Sequence, residues 1–379
     1  MTPKREFKST LSFGSRQTLR QRVRYGTPRM SRPRALVVLV ALAVGSTAVA
    51  AAAGAQPSAR LKTPSAAAIA RGPLAIRDSI LSQVPLERLQ KAGSAWGGPY
   101  TASTGETVTV YASSSYPQDP ALGQRWADFL ASLVHGSELS LLTVYLAPLT
   151  EVQSICGQQA IGCYSPDQNL LVAPGDDPAT DTSAEAVVTH EYGHHVAAHR
   201  SDAPWAAIDY GTKRWASYEN VCAQTVAGQL HPGAETEPQY MLNPGEAFAE
   251  SYRVLNERRG GLAEAPWDVV SQTLYPDDTA LSLIQQDVLT PWTANTTQTR
   301  SGSFTKKGRA TRSYAISTPL DGTLKVALTK ARSLKATLAV SAGGMQVASS
   351  STVCGTRSVK LTVTKKSGSG AFKLTVSAP

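Results

Sequence analysis

Four short segments near the C-terminus, LKVAL (324–328), LKATLAV (334–340), VKLTV (359–363) and FKLTV (372–376), alternate apolar and polar residues or nearly so. Gly- and Ser-rich turns separate them. Alternation sends successive side chains to opposite faces, so such a stretch buries one face as paired strands. The pattern predicts a small all-β sandwich of roughly six or seven strands over residues 299–379. Lys falls at outward positions, which discourages edge-to-edge pairing. Before this stretch the pattern is different: helical periods and strand runs mix. The Thr/Asn-rich run TANTTQTRSGS reads as the linker between the two regimes.

Charge follows the same divide. Residues 300–379 hold 14 Lys/Arg and one acid, Asp321, whereas residues 56–299 hold 13 Lys/Arg and 26 acids. Residues 1–55 add ten Lys/Arg and one acid, Glu6. The formal charge of +9 is therefore that of the leader, and a mature chain starting near residue 56 is neutral overall. That argues against nucleic acid as a partner, since the basic excess is not the mature protein's own.

The leader reads as a signal peptide, 1–55. Arg32 and Arg34 precede an unbroken apolar run from Ala35 to Val44, and small residues follow up to Ala53-Gly54-Ala55. Basic flank, short apolar core and small-residue cleavage site are the marks of export. Residues 35–54 are long enough to span a bilayer, but their second half is only weakly apolar, so no stable membrane span is expected after cleavage. Met30 opens a signal peptide of ordinary proportions and is the expected true start. A secreted, extracellular chain permits disulfides. Cys156 and Cys163 are close enough to close a small loop. Cys222 and Cys354 either bridge the two regions or stay free.

Residues 56–104 read as a lead-in segment or pro-region, with a helix near 76–91. Residues 105–298 form the next domain. Its expected elements are a strand at 105–113, a helix at 119–135, a strand at 141–147 and two strand pieces in 163–174 about a Ser-Pro-Asp-Gln-Asn turn. Thr182-Ser-Ala-Glu185 forms a capping box that starts a helix running towards Arg200. Further helices are expected at 213–228 and 244–258.

The chemistry concentrates in His190-Glu191-Tyr192-Gly193-His194. On a helix, residues four apart differ by about 40° in azimuth, so both imidazoles face one point and can hold Zn²⁺. Glu191 borders the same cleft and can take a proton from water acidified there. The bland alternative is a surface helix with a histidine cluster. A third ligand is required. His199 lies about 900° of rotation after His190, on the far side of a continuous helix; it and His195 read as solvated. The better candidate is Asn243-Pro244-Gly245-Glu246-Ala247-Phe248-Ala249-Glu250, where a Pro-Gly turn precedes a helix that carries two carboxylates on one face.

HEYGHH followed about fifty residues later by NPGEAFAES resembles the gluzincin branch of zinc metallopeptidases, which pair HExxH with a downstream acidic helix; the resemblance covers 105–258. It implies an α+β zincin-like catalytic domain ahead of the β-sandwich. It further implies His190, His194 and Glu246 as metal ligands, Glu191 as general base and Glu250 holding a ligand histidine from behind. It would set the strand near Asn169–Val172 at the edge of a mixed sheet, where a protein or peptide substrate can add. Tyr240 is the implied oxyanion donor, with Tyr252 and His231 as alternatives. The β-sandwich resembles C-terminal pre-peptidase-type domains. The expected activity is hydrolysis of peptide bonds outside the cell. The rival reading is a decayed peptidase-like binding protein whose basic β module docks on an anionic cell-surface polymer.

Overall fold

The computed structural model describes residues 78–81, 84, 95–178, 182–355 and 357–379. The signal peptide and Met30 lie outside these residues, as does most of the helix expected at 76–91; its described residues are not helical, since 78–81 run beside Tyr164, with which Ile80 forms a parallel β-bridge. The described chain is a mixed α/β protein: an α+β region followed by an all-β region.

The α+β region is built on one five-stranded sheet. Strands β1 (Ala95–Thr101), β2 (Thr107–Ser113), β3 (Thr143–Ala147), β4 (Cys163–Ser165) and β5 (Leu170–Pro174) lie in the order β1-β2-β3-β5-β4. The central three run parallel, and β1 and β4 are antiparallel flanks. β1 falls within the expected lead-in, so the sheet begins earlier than the 105 boundary. β5 is buried at every position because β3 and β4 flank it. The edge expected near 169–172 is therefore one strand further out, on β4. Between them Asn169 takes φ 50°, a left-handed turn that Asn tolerates.

Helix α1 (Pro120–Ser132) is capped by Asp119 and buries Trp126 and Leu130 beneath the sheet, and α2 (Leu149–Cys156) follows β3. The motif helix α3 (Ala184–Ala198) starts one residue later than the capping box suggested: Ser183, not Thr182, accepts from the Ala186 N–H. Its residues 186–197 are all buried. A helix enclosed all round shows no amphipathic stripe. After the two-residue strands β6 (Ser201–Asp202) and β7 (Trp205–Ala206) come α4 (Ala207–Tyr210), α5 (Lys213–Tyr218) and α6 (Val221–Val226). The single helix expected at 213–228 is broken by Asn220 at φ 55°. The second motif helix, α7 (Pro244–Gly260), packs against α3. Asn243 caps it and Pro244 is its first residue, so the expected Pro-Gly turn is the helix start itself. Gly193 is what lets α3 and α7 approach: a Cβ there would lie 2.8 Å from the Ala249 Cα. Helix α8 (Asp278–Leu289) closes the region.

The all-β region has eight strands: β8 (Thr296–Phe304), β9 (Thr311–Ser317), β10 (Gly322–Lys330), β11 (Leu334–Ala342), β12 (Met345–Val347), β13 (Ser350–Val353), β14 (Ser358–Gly368) and β15 (Gly370–Ala378). They form two four-stranded sheets, β13-β10-β15-β8 and β12-β11-β14-β9, around a core that includes Leu324, Leu361 and Leu374. The expected linker is in fact the edge strand β8. It pairs with β15 over its whole length, and its Thr, Ser and Gly residues suit an edge that buries little. Cys222 is disulfide-bonded to Cys354, which ties the two regions together, and Cys156 to Cys163, which closes the small loop. Ser217 adds two polar contacts to the seam as an acceptor: its Oγ accepts from the Asp321 N–H at 2.9 Å and its carbonyl accepts from Arg357 at 2.6 Å.

Candidate metal centre

Helix α3 carries His190 and His194 one turn apart, and their Nε2 atoms stand 3.2 Å apart. Helix α7 brings in Glu246, whose Oε2 lies 3.4 Å from His190 Nε2 and 3.3 Å from His194 Nε2. Bonds of about 2.0–2.1 Å at tetrahedral angles place ligand atoms about 3.3–3.4 Å apart. The three atoms therefore already form one face of a coordination tetrahedron. A fourth residue completes the group: Asp78 Oδ2 lies 2.9 Å from His190 Nε2 and 2.6 Å from His194 Nε2. All four side chains are buried and their ligand atoms lie within 4.8 Å of one another.

The donor set fits a divalent cation. Besides Asp78 and Glu246, the carboxylates of Glu191 and Glu250 are buried at the same place. Asp78 Oδ1, Glu191 Oε2 and Glu246 Oε1 have no hydrogen-bond partner among the described residues. Such a concentration of buried acid is costly unless positive charge compensates it. The two imidazoles supply part of that compensation in the structure. Burial alone would lower both, but hydrogen bonds from His190 to Asp78, Glu246 and Glu250 hold it well above its ordinary value. The Glu246 and Asp78 charges likewise bring His194 up to about 10. A bound cation would take over this role from the protons.

The surrounding residues fix the geometry. His190 donates from Nδ1 to Glu250 Oε1 at 3.1 Å, which leaves Nε2 facing the cluster. Glu250 is in turn held by Arg253, whose Nε donates to Oε2 at 2.9 Å and whose Nη2 donates to the same oxygen. Burial would raise the Glu250 carboxyl, yet His190 and Arg253 outweigh it and keep it low. Such a chain of contacts orients the ring from behind. His194 Nδ1 has no corresponding partner among the described residues.

Glu191 is turned aside from the ligand face. It is pushed well above the usual carboxylate range, by burial first and then by the Asp78 charge. Its position depends on Gly162 in the loop before β4: a Cβ there would lie 2.2 Å from Glu191 Oε1. The Tyr240 hydroxyl lies 3.3 Å from Glu246 Oε2 and 3.5 Å from the Asp78 carbonyl, at the rim of the ligand group. Burial, followed by the Glu246 and Asp78 charges, raises Tyr240 well above its ordinary value, so it stays a protonated donor. Tyr252, the alternative, donates instead to the Val134 carbonyl at 2.6 Å.

Two expectations for α3 are corrected. His195 is not solvated: it is completely buried, donating from Nε2 to the Glu138 carbonyl and accepting at Nδ1 from the Tyr164 hydroxyl. His199 is the C-terminal cap residue of α3 and is half-buried, with Nε2 at 2.7 Å from Asn169 Oδ1. Asp78 was not expected at all. It is 112 residues from His190 in sequence, and a lone acid in a segment rich in Ala, Ser and Pro carries no signal. Searches against protein-family models and against curated proteins return no match for this chain.

Proposed function

We propose that the chain is a secreted zinc-dependent peptidase. The observation that carries this reading is the convergence of two imidazole nitrogens and one carboxylate oxygen from α3 and α7 on one point, with the buried carboxylate of Glu191 beside it. Two His and one Glu are a catalytic zinc donor set. His190, His194 and Glu246 would hold the ion, which when bound acidifies water and polarises a carbonyl.

The chain's own residues do the rest. Glu191, with a free oxygen and a raised affinity for protons, takes a proton from the attacking water and delivers it to the leaving amine. Tyr240 donates a hydrogen bond to the oxygen that gains charge as the carbonyl is attacked. Arg253 and Glu250 keep His190 in the right tautomer. An extended peptide adds to the sheet along β4, its backbone pairing with the edge groups of Tyr164. Beside His190 and Glu191 lies a small pocket whose lining mixes Ile161, Val187 and Val269 with Asp78, Arg253 and Asp268. Export is supported by the two disulfides. Among the described residues no helix is long and apolar enough to cross a membrane.

The test is Glu191→Gln against the parent, assayed for zinc content and for chelator-sensitive casein digestion. The variant should keep its zinc and lose turnover by about three orders of magnitude or more. Equal turnover would remove Glu191 from the chemistry. Glu246→Ala should lose the metal; unchanged stoichiometry would remove that ligand. A protein that binds zinc but digests nothing, either as the parent or with Asp78 replaced by Ala, would favour the rival binding-protein reading, with the basic β module as its docking unit.

A further inference from the structure

A peptidase centre of this kind needs a coordination place for water, and the structure offers four protein ligands rather than three. Asp78 is the fourth. Its Oδ2 reaches both imidazole Nε2 atoms, and Glu246 makes the remaining corner. The residues after it lie along the edge of the sheet. Ile80 forms a parallel bridge with Tyr164 of β4. Tyr164 N–H donates to the Ser79 carbonyl at 3.3 Å, and Leu81 N–H donates to the Tyr164 carbonyl at 2.9 Å. Gln168 then grips Val84 at both backbone groups: its Oε1 accepts from the Val84 N–H at 2.6 Å and its Nε2 donates to the Val84 carbonyl at 2.9 Å. Ser79 Oγ donates to the Cys156 carbonyl at 2.9 Å.

We infer that Asp78–Leu81, with Val84, are a built-in inhibitor, in which the Asp78 carboxylate fills the fourth ligand place while the backbone of Ser79–Leu81 occupies the sheet edge that a peptide substrate would use. This rests on the peptidase reading and says how that site is kept silent. Two observations separate a removable blocker from a permanent structural ligand. First, a site closed for good has no use for Glu191, yet Glu191 is held beside the cluster with Oε2 unpartnered among the described residues. Second, Asp78 comes from neither of the helices that fix the other ligands. It reaches the cluster on an extended segment whose hydrogen bonds to β4 and Gln168 are those an incoming peptide could replace. The Tyr240 hydroxyl also faces the Asp78 carbonyl, so the donor meant for a substrate oxygen is engaged by the same segment.

The full chain, loaded with Co²⁺ in place of zinc, provides a readout at the metal itself. Acetohydroxamate, a small chelating probe, is titrated while the visible absorption of the cobalt is followed. The parent should not respond, whereas Asp78→Ala should keep its Co²⁺ and respond saturably. Asp78→Asn, nearly identical in shape, should open the site as well, which guards against a folding defect in the alanine variant. Casein digestion by Asp78→Ala should exceed that of the full-length parent at least tenfold. A parent that already responds to the probe overturns the inference. So does an Asp78→Ala protein that folds and loses its metal, because Asp78 would then be a structural ligand. A variant that gains the cobalt response without gaining casein digestion leaves the blocker in place and instead defeats the peptidase reading.

Discussion

The two regions treat buried charge in opposite ways. Among the described residues, the β-sandwich buries one charged side chain, Asp321, and that one faces the seam, where it bonds Arg357 and the Gly355 N–H. All its other charges stay at the surface. The α+β region buries Asp78, Glu138, Glu191, Glu246, Glu250, Arg253 and more. Burying an ion costs several kcal/mol even after relaxation, roughly the size of a small domain's whole stability. A fold accepts that cost repeatedly only where the charges answer one another or an ion. The contrast therefore assigns the two parts different burdens: the sandwich is held by apolar packing, and the α+β region gives up stability to hold a buried cluster that could take a metal ion.

That contrast can be broken by substitution. Leu361→Ala in the sandwich core should cost about 2–5 kcal/mol, the range for a fully buried Leu, in a denaturant melt. Its metal-to-protein ratio should be unchanged, and a fall would show that the sandwich helps to build the centre. Gly193→Ala places a methyl against the Ala249 backbone, so α3 and α7 must part; overpacking of this kind costs about 1–3 kcal/mol. Here the metal content should drop with stability, and full metal retention would mean that the helix spacing is not what sets the ligands.

The effect that is smallest per step is read in pH rather than in packing, at Asp202. Asp202 is raised to about 7 by burial, which outweighs its ion pair with Lys213; Asp321 and Asp287 add to the rise. A carboxyl raised in the folded state binds more protons there than in the unfolded chain between pH 3.8 and 7. Its contribution to stability is full below that window and is lost as the pH rises through it, by at most about 1.4 kcal/mol per pH unit. Melts at pH 4, 5.5 and 7 should show Asp202→Asn lacking this increment relative to the parent. Identical pH slopes would show that Asp202 titrates as an ordinary surface acid.

What the sequence disclosed follows from the range over which each signal acts. Four strands of the sandwich, β10, β11, β14 and β15, were legible because alternation is local; β9, β12 and β13 were not located, and β8 was read as a linker because Thr, Ser and Gly at an edge carry no alternation to see. The histidine pair of α3 and the carboxylate pair of α7 were legible because each sits one turn apart on its own helix. Their meeting with Asp78 was not, since it is a long-range contact from an extended segment. His195 was misread for a related reason: a helix buried all round gives no polar face by which to recognise the exposed side. Ser183 took the capping role from Thr182 because one residue of register decides which hydroxyl reaches the Ala186 N–H.

The bond between Cys222 and Cys354 joins α6 to the stretch just after β13. A protease that nicked the backbone between Leu289 and Thr296 would thus release no fragment. The clipped molecule would travel as one species through a sizing column and on a gel without thiol, and would fall into two bands only after reduction. If the proposed peptidase activity is present, the chain would in this way keep its two halves together after its own backbone had been cut.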